Sequence, residues 1–330
     1  RSSIKNVSHN HKNMPTIDDV YGQEQAKRAI QIAVAGRHNI LLSGPPGSGK
    51  TMLAKSLKNL LPALSEDEIV EVTKLHSLGE HTIINNPIVD RPFRSPHHTA
   101  SRASIIGGGS KVQPGEISLA HRGVLFLDEL LEYPRTVLES LRQPLEDHEI
   151  TVSRANGKFN FPANFLLVAT MNPCPCGFLG DPEKTCICSQ NQILNYQKRL
   201  SGPLLDRIDL TVSVSRVPHE KLLNNKMSTK SQQETFLSEI HKAYSIQRDR
   251  YKCSYKYNND ISSNSVDKIT SISESAKTFL TNAAKKLDLS TRSYFKVIKV
   301  SRTIADLEES TSIEIPHIAE SLQYRQINIG

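Results

Sequence analysis

The sequence has no tryptophan, and aromatic residues make up only 5% of its 330 residues. It also has no apolar run long enough to cross a bilayer, so we expect no membrane-spanning segment. Its first residues, 1–13, are polar, lack the apolar core of a secretion signal and do not begin with Met. We therefore expect a cytoplasmic chain with reduced thiols, and a fragment whose N-terminal part has been removed.

What is present is the composition of a globular protein, with 37% hydrophobic and 23% charged residues. The length makes two packed units the natural expectation. The formal net charge of +7 is compatible with a polyanionic partner, and equally with an ordinary soluble surface. Charge alone therefore does not identify a partner.

The run GPPGSGKT at 44–51 follows a buried strand, NILLSG, and opens a helix, which is the context that a P-loop requires. Backbone N–H groups of such a loop and the helix N-terminus face the phosphates of a nucleotide. We predict that Lys50 reaches the β- and γ-phosphates of ATP and that Thr51 ligates Mg²⁺. The predicted nucleotide-binding residues of this run are Gly44, Pro45, Pro46, Gly47, Ser48, Gly49, Lys50, Thr51 and Met52. Val20 and Tyr21 either wall the adenine ring or serve in ordinary packing.

Two adjacent carboxylates end the strand VLFL. We predict that Asp128 holds Mg²⁺, directly or through water, and that Glu129 is the base that polarises the attacking water. Asn172 ends the apolar strand FLLVATMN and is placed to bond the γ-phosphate or the water. Glu129, Asn172 and Lys50 belong to the predicted catalytic set for ATP hydrolysis, whereas Asp128 is predicted as a metal ligand with Thr51.

Two arginines complete that set. Arg207, in GPLLDRID, either enters a neighbouring subunit's site or pairs with an adjacent aspartate, Asp206 or Asp209. Arg292 begins a helix and would bring charge onto the γ-phosphate, with an ordinary surface arginine as the alternative. Arg302, further along this helix, is the other candidate for the same role.

Apolar runs alternate with helical patterns in the first part of the chain, which predicts an α/β fold with a parallel sheet flanked by helices. The last part has helical periodicity and predicts an α-helical lid domain. We divide the chain into a polar leader at 1–16, an αβα nucleotide-binding domain at 17–215 and the lid at 216–330. Within the large domain we expect three excursions, namely an insert at about 76–121, a hairpin at about 149–163 and a Cys-rich loop at 172–189.

The Cys-rich loop carries the pattern C-x-C, nine residues, C-x-C. Its members Cys174, Cys176, Cys186 and Cys188 could surround one tetrahedral Zn²⁺ as thiolates. Free thiols, or disulfides formed by oxidation, are the alternatives. Zinc here would be structural, because no histidine or open ligand position accompanies the set.

Three stretches of the chain resemble the ComM/YifB family, the magnesium-chelatase-like branch of AAA+ ATPases. They are RPFRSPHHTASRASIIGGGSKVQPGEISLAHRGVLFLDEL at 91–130, NPCPCGFLGDPEKTCICS at 172–189 and LSTRSYFKVIKVSRTIADL at 289–307. The resemblance implies that 44–51 is Walker A and that Asp128 and Glu129 are Walker B. It also implies that Asn172 is sensor 1, Arg207 the arginine finger and Arg292 sensor 2.

The resemblance further implies homo-hexameric rings and a DNA helicase that promotes branch migration of strand-exchange intermediates during natural transformation. On this resemblance we expect the sequence to be a fragment that lacks the family's Lon-like N-terminal domain. Lys296 stands where the family's lid helix is expected to carry an arginine.

A DNA motor needs cationic loops that follow the phosphate backbone. In the insert, the predicted DNA contacts are Arg91, Arg94, His97, His98, Arg102 and Lys111. In the hairpin they are Arg154 and Lys158. Neither segment interleaves aromatic residues, so backbone tracking with weak sequence preference is expected. The alternative for the insert is a solvated loop with structural histidines and arginines.

Two other functions compete with a DNA motor. One is a motor like the magnesium-chelatase ATPase subunit, which acts on a protein partner and does not call for a cysteine loop. The other is a nucleotide-dependent assembly scaffold. Glu129 argues against the scaffold, because a pure switch needs no dedicated base.

Overall fold

A computed structural model describes the chain over residues 14–79, 86–109, 112–154, 157–217, 231–253, 255–262, 265–266 and 270–325. The strands are β1 (Ile40–Ser43), β2 (Phe93–Arg94), β3 (Gly107–Gly108), β4 (Gln113–Pro114), β5 (Val124–Leu127), β6 (Glu149–Arg154), β7 (Gly157–Pro162), β8 (Leu166–Met171) and β9 (Leu210–Ser213). Five of them form one sheet in the order β2-β5-β8-β1-β9, and all its pairings are parallel.

Helices cover both faces of this sheet and form the C-terminal part of the chain. Those of the large domain are α1 (Glu24–Gly36), α2 (Lys50–Ser56), α3 (Glu66–Gly79), α4 (Arg102–Ile106), α5 (Glu116–Leu119), α6 (Arg135–Ser140), α7 (Pro144–Asp147), α8 (Gln190–Gln197) and α9 (Gly202–Leu205). Those that follow are α10 (Gln232–Tyr251), α11 (Glu274–Lys286), α12 (Thr291–Leu307) and α13 (Ile315–Gln323). No described helix has the length and apolar character of a bilayer span.

The inner strands are apolar along their whole length because helices cover both sheet faces. Every residue of β5 and β8 is buried, as expected for strands inside a covered parallel sheet. Ile30 of α1 and Ile304 of α12 belong to one apolar core on a face of the sheet. The lid therefore packs directly against the large domain.

This architecture confirms the predicted parallel sheet flanked by helices with a C-terminal helical domain. The boundary proposed near Arg216 stays a prediction, because residues 218–230 lie outside the described part. The predicted hairpin is formed by β6 and β7, which pair antiparallel from Glu149–Pro162 to Arg154–Gly157.

The predicted insert needs a correction, because it is not wholly an excursion from the core. Its start lies inside α3, and Phe93 of β2 pairs with Val124 of β5 at the edge of the main sheet. A two-residue strand is too short to produce a periodic sequence signal. The excursion proper is the part around the small β3–β4 hairpin.

Candidate nucleotide site

Several predicted catalytic residues meet at the carboxyl ends of the parallel strands. The P-loop leaves β1, Asp128 and Glu129 follow β5, and Asn172 follows β8. Because β1, β5 and β8 are parallel neighbours, their carboxyl ends lie at the same edge. Three segments that are distant in sequence are thereby brought together.

The P-loop has the backbone conformation that glycine permits. Gly47 and Gly49 have φ values of 77° and 89°, and a Cβ at either would meet nothing within 4 Å. Conformation rather than space therefore favours glycine there. The Nζ of Lys50 donates to the carbonyl oxygens of Gly44 at 2.7 Å and Pro45 at 2.8 Å, inside the curl of the loop. Burial lowers the pKa of Lys50, opposed by the nearby Asp128 and Glu129 carboxylates.

Thr51 and Asp128 have the spacing of two ligands of one magnesium ion. The Oγ1 of Thr51 lies 3.2 Å from Oδ2 of Asp128. Adjacent ligand oxygens of an octahedral Mg²⁺ are about 3 Å apart, given Mg–O distances of about 2.0–2.1 Å. The pair therefore fits the ion that the fold family implies.

Thr170 was not identified from the sequence, yet it contacts both acids. Its hydroxyl donates to Oδ1 of Asp128 at 2.5 Å and accepts from the backbone N–H of Glu129 at 3.0 Å. Its only sequence signal is a polar residue two positions before Asn172 within an apolar run. Through these two bonds Thr170 holds the side chain of Asp128 and the backbone of Glu129 in place at the end of β5.

Glu129 and Asn172 both lie near Lys50. Glu129 adopts a left-handed conformation, with φ of 53°, and its side chain is 55% exposed. The Oδ1 of Asn172 lies 3.4 Å from Nζ of Lys50. An exposed carboxylate within electrostatic range of a buried ammonium suits activation of water beside a phosphate.

A cavity of about 340 Å³ lies beside the P-loop. Tyr21, Met52 and Val20 line it, and they are 51%, 44% and 4% exposed. Arg216 also lines this cavity and was not identified from the sequence. The lining mixes apolar side chains with Arg216 and the acids Asp19 and Glu183, and such a mixed cavity beside a phosphate-binding loop suits a nucleoside.

Arg207 lies at the amino ends of the parallel strands, whereas the P-loop lies at their carboxyl ends. It precedes β9, and the side chain of Asn39, just before β1, donates to its carbonyl oxygen at 3.1 Å. The four residues of β1 separate these amino ends from the P-loop, which corresponds to about 13 Å of strand. Arg207 is thus remote from the nucleotide site of its own chain.

Arg292 lies beside Arg207, since both donate hydrogen bonds to the carboxylate of Glu146. The assignment of Arg292 to a γ-phosphate stays a prediction. The alternative, Arg302, is corrected. It is 1% exposed and pairs with Asp306 at 3.0 Å, so it stabilises the lid internally.

The four clustered cysteines have the geometry of a tetrahedral metal site. Their Sγ atoms all lie within 4.8 Å of one another, and three of the pairs are 3.4, 3.6 and 3.7 Å apart. Tetrahedral zinc with Zn–S distances of about 2.3 Å places the sulfurs about 3.8 Å apart. A disulfide needs about 2.05 Å, and all four thiols are free. Backbone N–H donation, chiefly from Phe178, lowers the pKa of Cys176 to about 6.

Two of the predicted DNA contacts are engaged within the fold. Arg91 is 7% exposed and pairs with Glu68 at 2.9 Å, so its assignment to DNA is corrected to a structural role. Arg94 makes a two-pronged contact with Glu116, at 2.6 and 2.7 Å. The sequence shows the charge of these residues but not their burial.

The remaining predicted DNA contacts lie in different places. His98 is half-buried, with Nδ1 3.9 Å from Oε2 of Glu129. His97, Arg102 and Lys158 are exposed. Lys111 lies outside the described residues, as does the side chain of Arg154, although the backbone of Arg154 belongs to β6.

Family profiles match nearly the whole chain. The profile of magnesium chelatase subunit ChlI matches residues 16–222, and the C-terminal profile of that subunit matches residues 229–325. Competence protein ComM of Haemophilus influenzae is 45% identical over 97% of this chain and 62% of its own length. The uncharacterized protein YifB of Escherichia coli is 41% identical over 94% of this chain and 60% of its own.

A more distant relative is the magnesium-chelatase 67 kDa subunit of Heliobacterium mobile. It is 26% identical over 49% of this chain and 28% of its own length. The chain thus spans about three fifths of the length of ComM and YifB.

Proposed function

The chain belongs to the magnesium chelatase ChlI family of AAA+ proteins, in the branch of ComM and YifB, and from that premise we propose that it is an ATP-hydrolysing motor acting on DNA. The observation that carries ATP hydrolysis is the convergence of Lys50, Thr51, Asp128, Glu129 and Asn172 at one sheet edge. The family implies ATP and Mg²⁺ as the cofactors.

Each residue of this edge has a distinct chemical role in the proposal. Lys50 and Asn172 bind and orient the γ-phosphate, and Thr51 and Asp128 hold Mg²⁺. Bound Mg²⁺ supplies charge neutralisation at the phosphate oxygens. Glu129 accepts a proton from the attacking water, because its carboxylate is exposed beside the space that the γ-phosphate occupies.

We assign Arg207 and Arg292 to the nucleotide site of a neighbouring subunit. Both lie on the amino side of the sheet in their own chain, away from the P-loop. A surface that supplies arginines to the site of the next copy makes a head-to-tail interface, and such an interface forms a ring when the rotation between copies closes. A homo-hexamer is the assembly that we propose.

DNA is the proposed substrate, with branch migration of strand-exchange intermediates, as in natural transformation, as the reaction. Two observations support it: the similarity to a competence protein and the exposed end of the β6–β7 hairpin. Lys158 and Phe159 are consecutive residues of β7 and both are exposed, Phe159 by 40%, on opposite faces of the strand. An exposed cation suits a DNA phosphate, and an exposed ring suits a base of single-stranded DNA.

The test is ATP hydrolysis by the purified chain at low salt, with and without single-stranded and forked DNA. A Glu129→Gln variant is the control, because it removes the base and keeps the pocket. Stimulation by DNA that weakens as salt screens phosphate contacts supports the proposal. Absence of stimulation in a confirmed hexamer contradicts it. That outcome directs the search to a protein partner, as for a magnesium-chelatase motor, or to a scaffold if hydrolysis is absent altogether.

A further inference from the structure

We propose that Cys174, Cys176, Cys186 and Cys188 bind one Zn²⁺ and that this metal braces a wall of the nucleotide pocket, so that its loss weakens nucleotide binding. The metal site follows from the cysteine geometry. The effect on nucleotide binding rests on the proposed ATP site.

The cysteine loop lies directly against the P-loop. Gly177, between the two cysteine pairs, has φ of 85°, and a Cβ on it would lie 2.7 Å from Cδ of Pro46. Real Cβ contacts are not that short, so the backbone at 177 occupies space that only glycine allows. The position of the cysteine loop therefore limits where Pro46 of the P-loop can lie.

Arg216 connects the same two loops through a second set of contacts. Its Nη2 donates to the carbonyl oxygen of Pro46 at 3.2 Å. Its Nε lies 2.9 Å from Oδ2 of Asp181, an ion pair without hydrogen-bond alignment, and its Nη1 donates to Glu183 at 3.4 Å. The Asp181 side chain is fully buried. Arg216 and Glu183 both line the cavity beside the P-loop, so these contacts build its wall.

Asp181 and Glu183, the acids that contact Arg216, lie in a segment without helix or strand. No helix or strand is assigned between Met171 and Gln190, all of whose residues are described. Backbone hydrogen bonds there include only short turns, such as Gly177 to Cys174 at 3.0 Å and Asp181 to Phe178 at 3.1 Å. A stretch of this length inside a compact domain needs another source of order, which a four-coordinate structural metal supplies.

The thiols lie close enough together for one bound metal ion to order this segment. Asp181 and Glu183 lie between Cys176 and Cys186, whose Sγ atoms are 3.6 Å apart. Four converging thiolates repel one another unless a cation compensates them, and Zn²⁺ with four cysteine ligands does so. Removal of the metal would free both ends of the Asp181 segment and release Arg216 from the pocket wall.

The first measurement is the zinc content of the purified chain, followed by binding of a fluorescent ATP analogue in excess Mg²⁺ before and after treatment with a zinc-selective chelator. We expect one zinc per chain and, after its removal, nucleotide affinity lower by about fivefold to tenfold. Asp181→Asn should keep the zinc and weaken nucleotide binding in the same direction, because it breaks only the link to Arg216. Asp249→Asn, an exposed acid of α10, is the matched control and should change neither.

Hydrogen exchange without nucleotide separates this inference from the proposed ATPase. Zinc removal should speed amide exchange at 44–51 while leaving α11 of the lid unchanged. The inference is overturned if the chain binds no zinc, or if zinc removal leaves the rate of amide exchange at 44–51 unchanged. If exchange responds but the zinc-loaded chain binds no ATP analogue, the metal brace stands and the proposed ATP site fails.

Discussion

Arg207 and Arg292 donate hydrogen bonds to one carboxylate, that of Glu146. Arg207 precedes the last strand of the sheet and Arg292 opens α12 of the lid, so Glu146 joins the large domain to the lid. Arg207 is further held by the carbonyl oxygens of Arg142, at 3.0 Å, and Pro203, at 2.7 Å. Two guanidinium groups around a single carboxylate leave one positive charge uncompensated, which suits the triphosphate of a neighbouring subunit.

We predict that Glu146→Gln increases ATP hydrolysis at limiting protein concentration. In the proposed shared site this carboxylate competes with the neighbour's triphosphate for both arginines, so its removal should favour assembly of that site. An exposed ion pair is worth up to about 1 kcal/mol, which corresponds to about a fivefold change. Asp147→Asn, next on the same helix, removes the same charge from the adjacent position and should have little effect. Lower activity in Glu146→Gln would show that Glu146 orients the arginines instead of competing for them.

The β6–β7 hairpin should be required for stimulation by DNA but not for basal hydrolysis. Replacing Lys158 and Phe159 by alanine removes an exposed cation and an exposed ring while β6 and β7 keep their pairing. We expect the ATPase rate without DNA to stay unchanged and the DNA concentration for half-maximal stimulation to rise about tenfold. The control is Lys285→Ala on the lid. Equal effects of the two variants on stimulation by DNA would show that the hairpin is not a DNA contact.

Lys296 and Asp209 form a buried ion pair, with Nζ and Oδ1 2.5 Å apart. Burial alone would raise the pKa of Asp209, but the Lys296 ammonium holds it below its usual value. Lys296→Met leaves that charge unpaired, so we expect the free energy of unfolding to fall by about 3–5 kcal/mol. Urea denaturation measures this. Adding Asp209→Asn should recover much of the loss, and a double variant as unstable as Lys296→Met would contradict the pairing.

Stability should decrease as the solution becomes mildly acidic, because His38 and His121 are buried as neutral imidazoles. Burial lowers the pKa of each to about 4. The unfolded chain therefore takes up protons near pH 6.5 that the folded chain does not bind until about pH 4. Each histidine then costs up to about 1.4 kcal/mol per pH unit across that window.

A His38→Asn variant tests this origin of the pH dependence. It should show a shallower fall in the free energy of unfolding between about pH 6.5 and pH 5 than the parent, since one of the histidines with a pKa lowered by burial is gone. Buried carboxylates with lowered pKa values, such as Glu68, lose their contribution only at lower pH. Equal slopes in the two proteins would assign the effect to other groups.

Sequence patterns predicted the parts of the site that are local in the chain. The P-loop, the paired acids after VLFL and Asn172 each follow an apolar run, and parallel pairing then brings the strand ends together. Thr170, Glu146 and Arg216 were missed because their roles arise from contacts with residues distant in sequence. Nothing in the neighbourhood of Glu146 indicates that Arg292 lies next to it.

Charged residues were the least predictable class. Arg91 and Arg302 have the residue type expected of a DNA or phosphate contact, but both are buried with acidic partners. The partner of Arg91 is Glu68 on α3, 23 positions earlier in the chain. A sequence shows that a cation is present, whereas packing decides whether it faces solvent or an internal carboxylate.

Mixing two inactive variants tests most directly whether ATP is hydrolysed at a site shared by two subunits. Glu129→Gln lacks the base but keeps its arginines, whereas Arg207→Ala keeps the base and lacks the arginine. In randomly mixed rings, about a quarter of the interfaces join an intact base to an intact arginine. We predict that an equimolar mixture recovers ATP hydrolysis towards about a quarter of the parent rate. A mixture that assembles but stays as inactive as its two components would contradict the shared site.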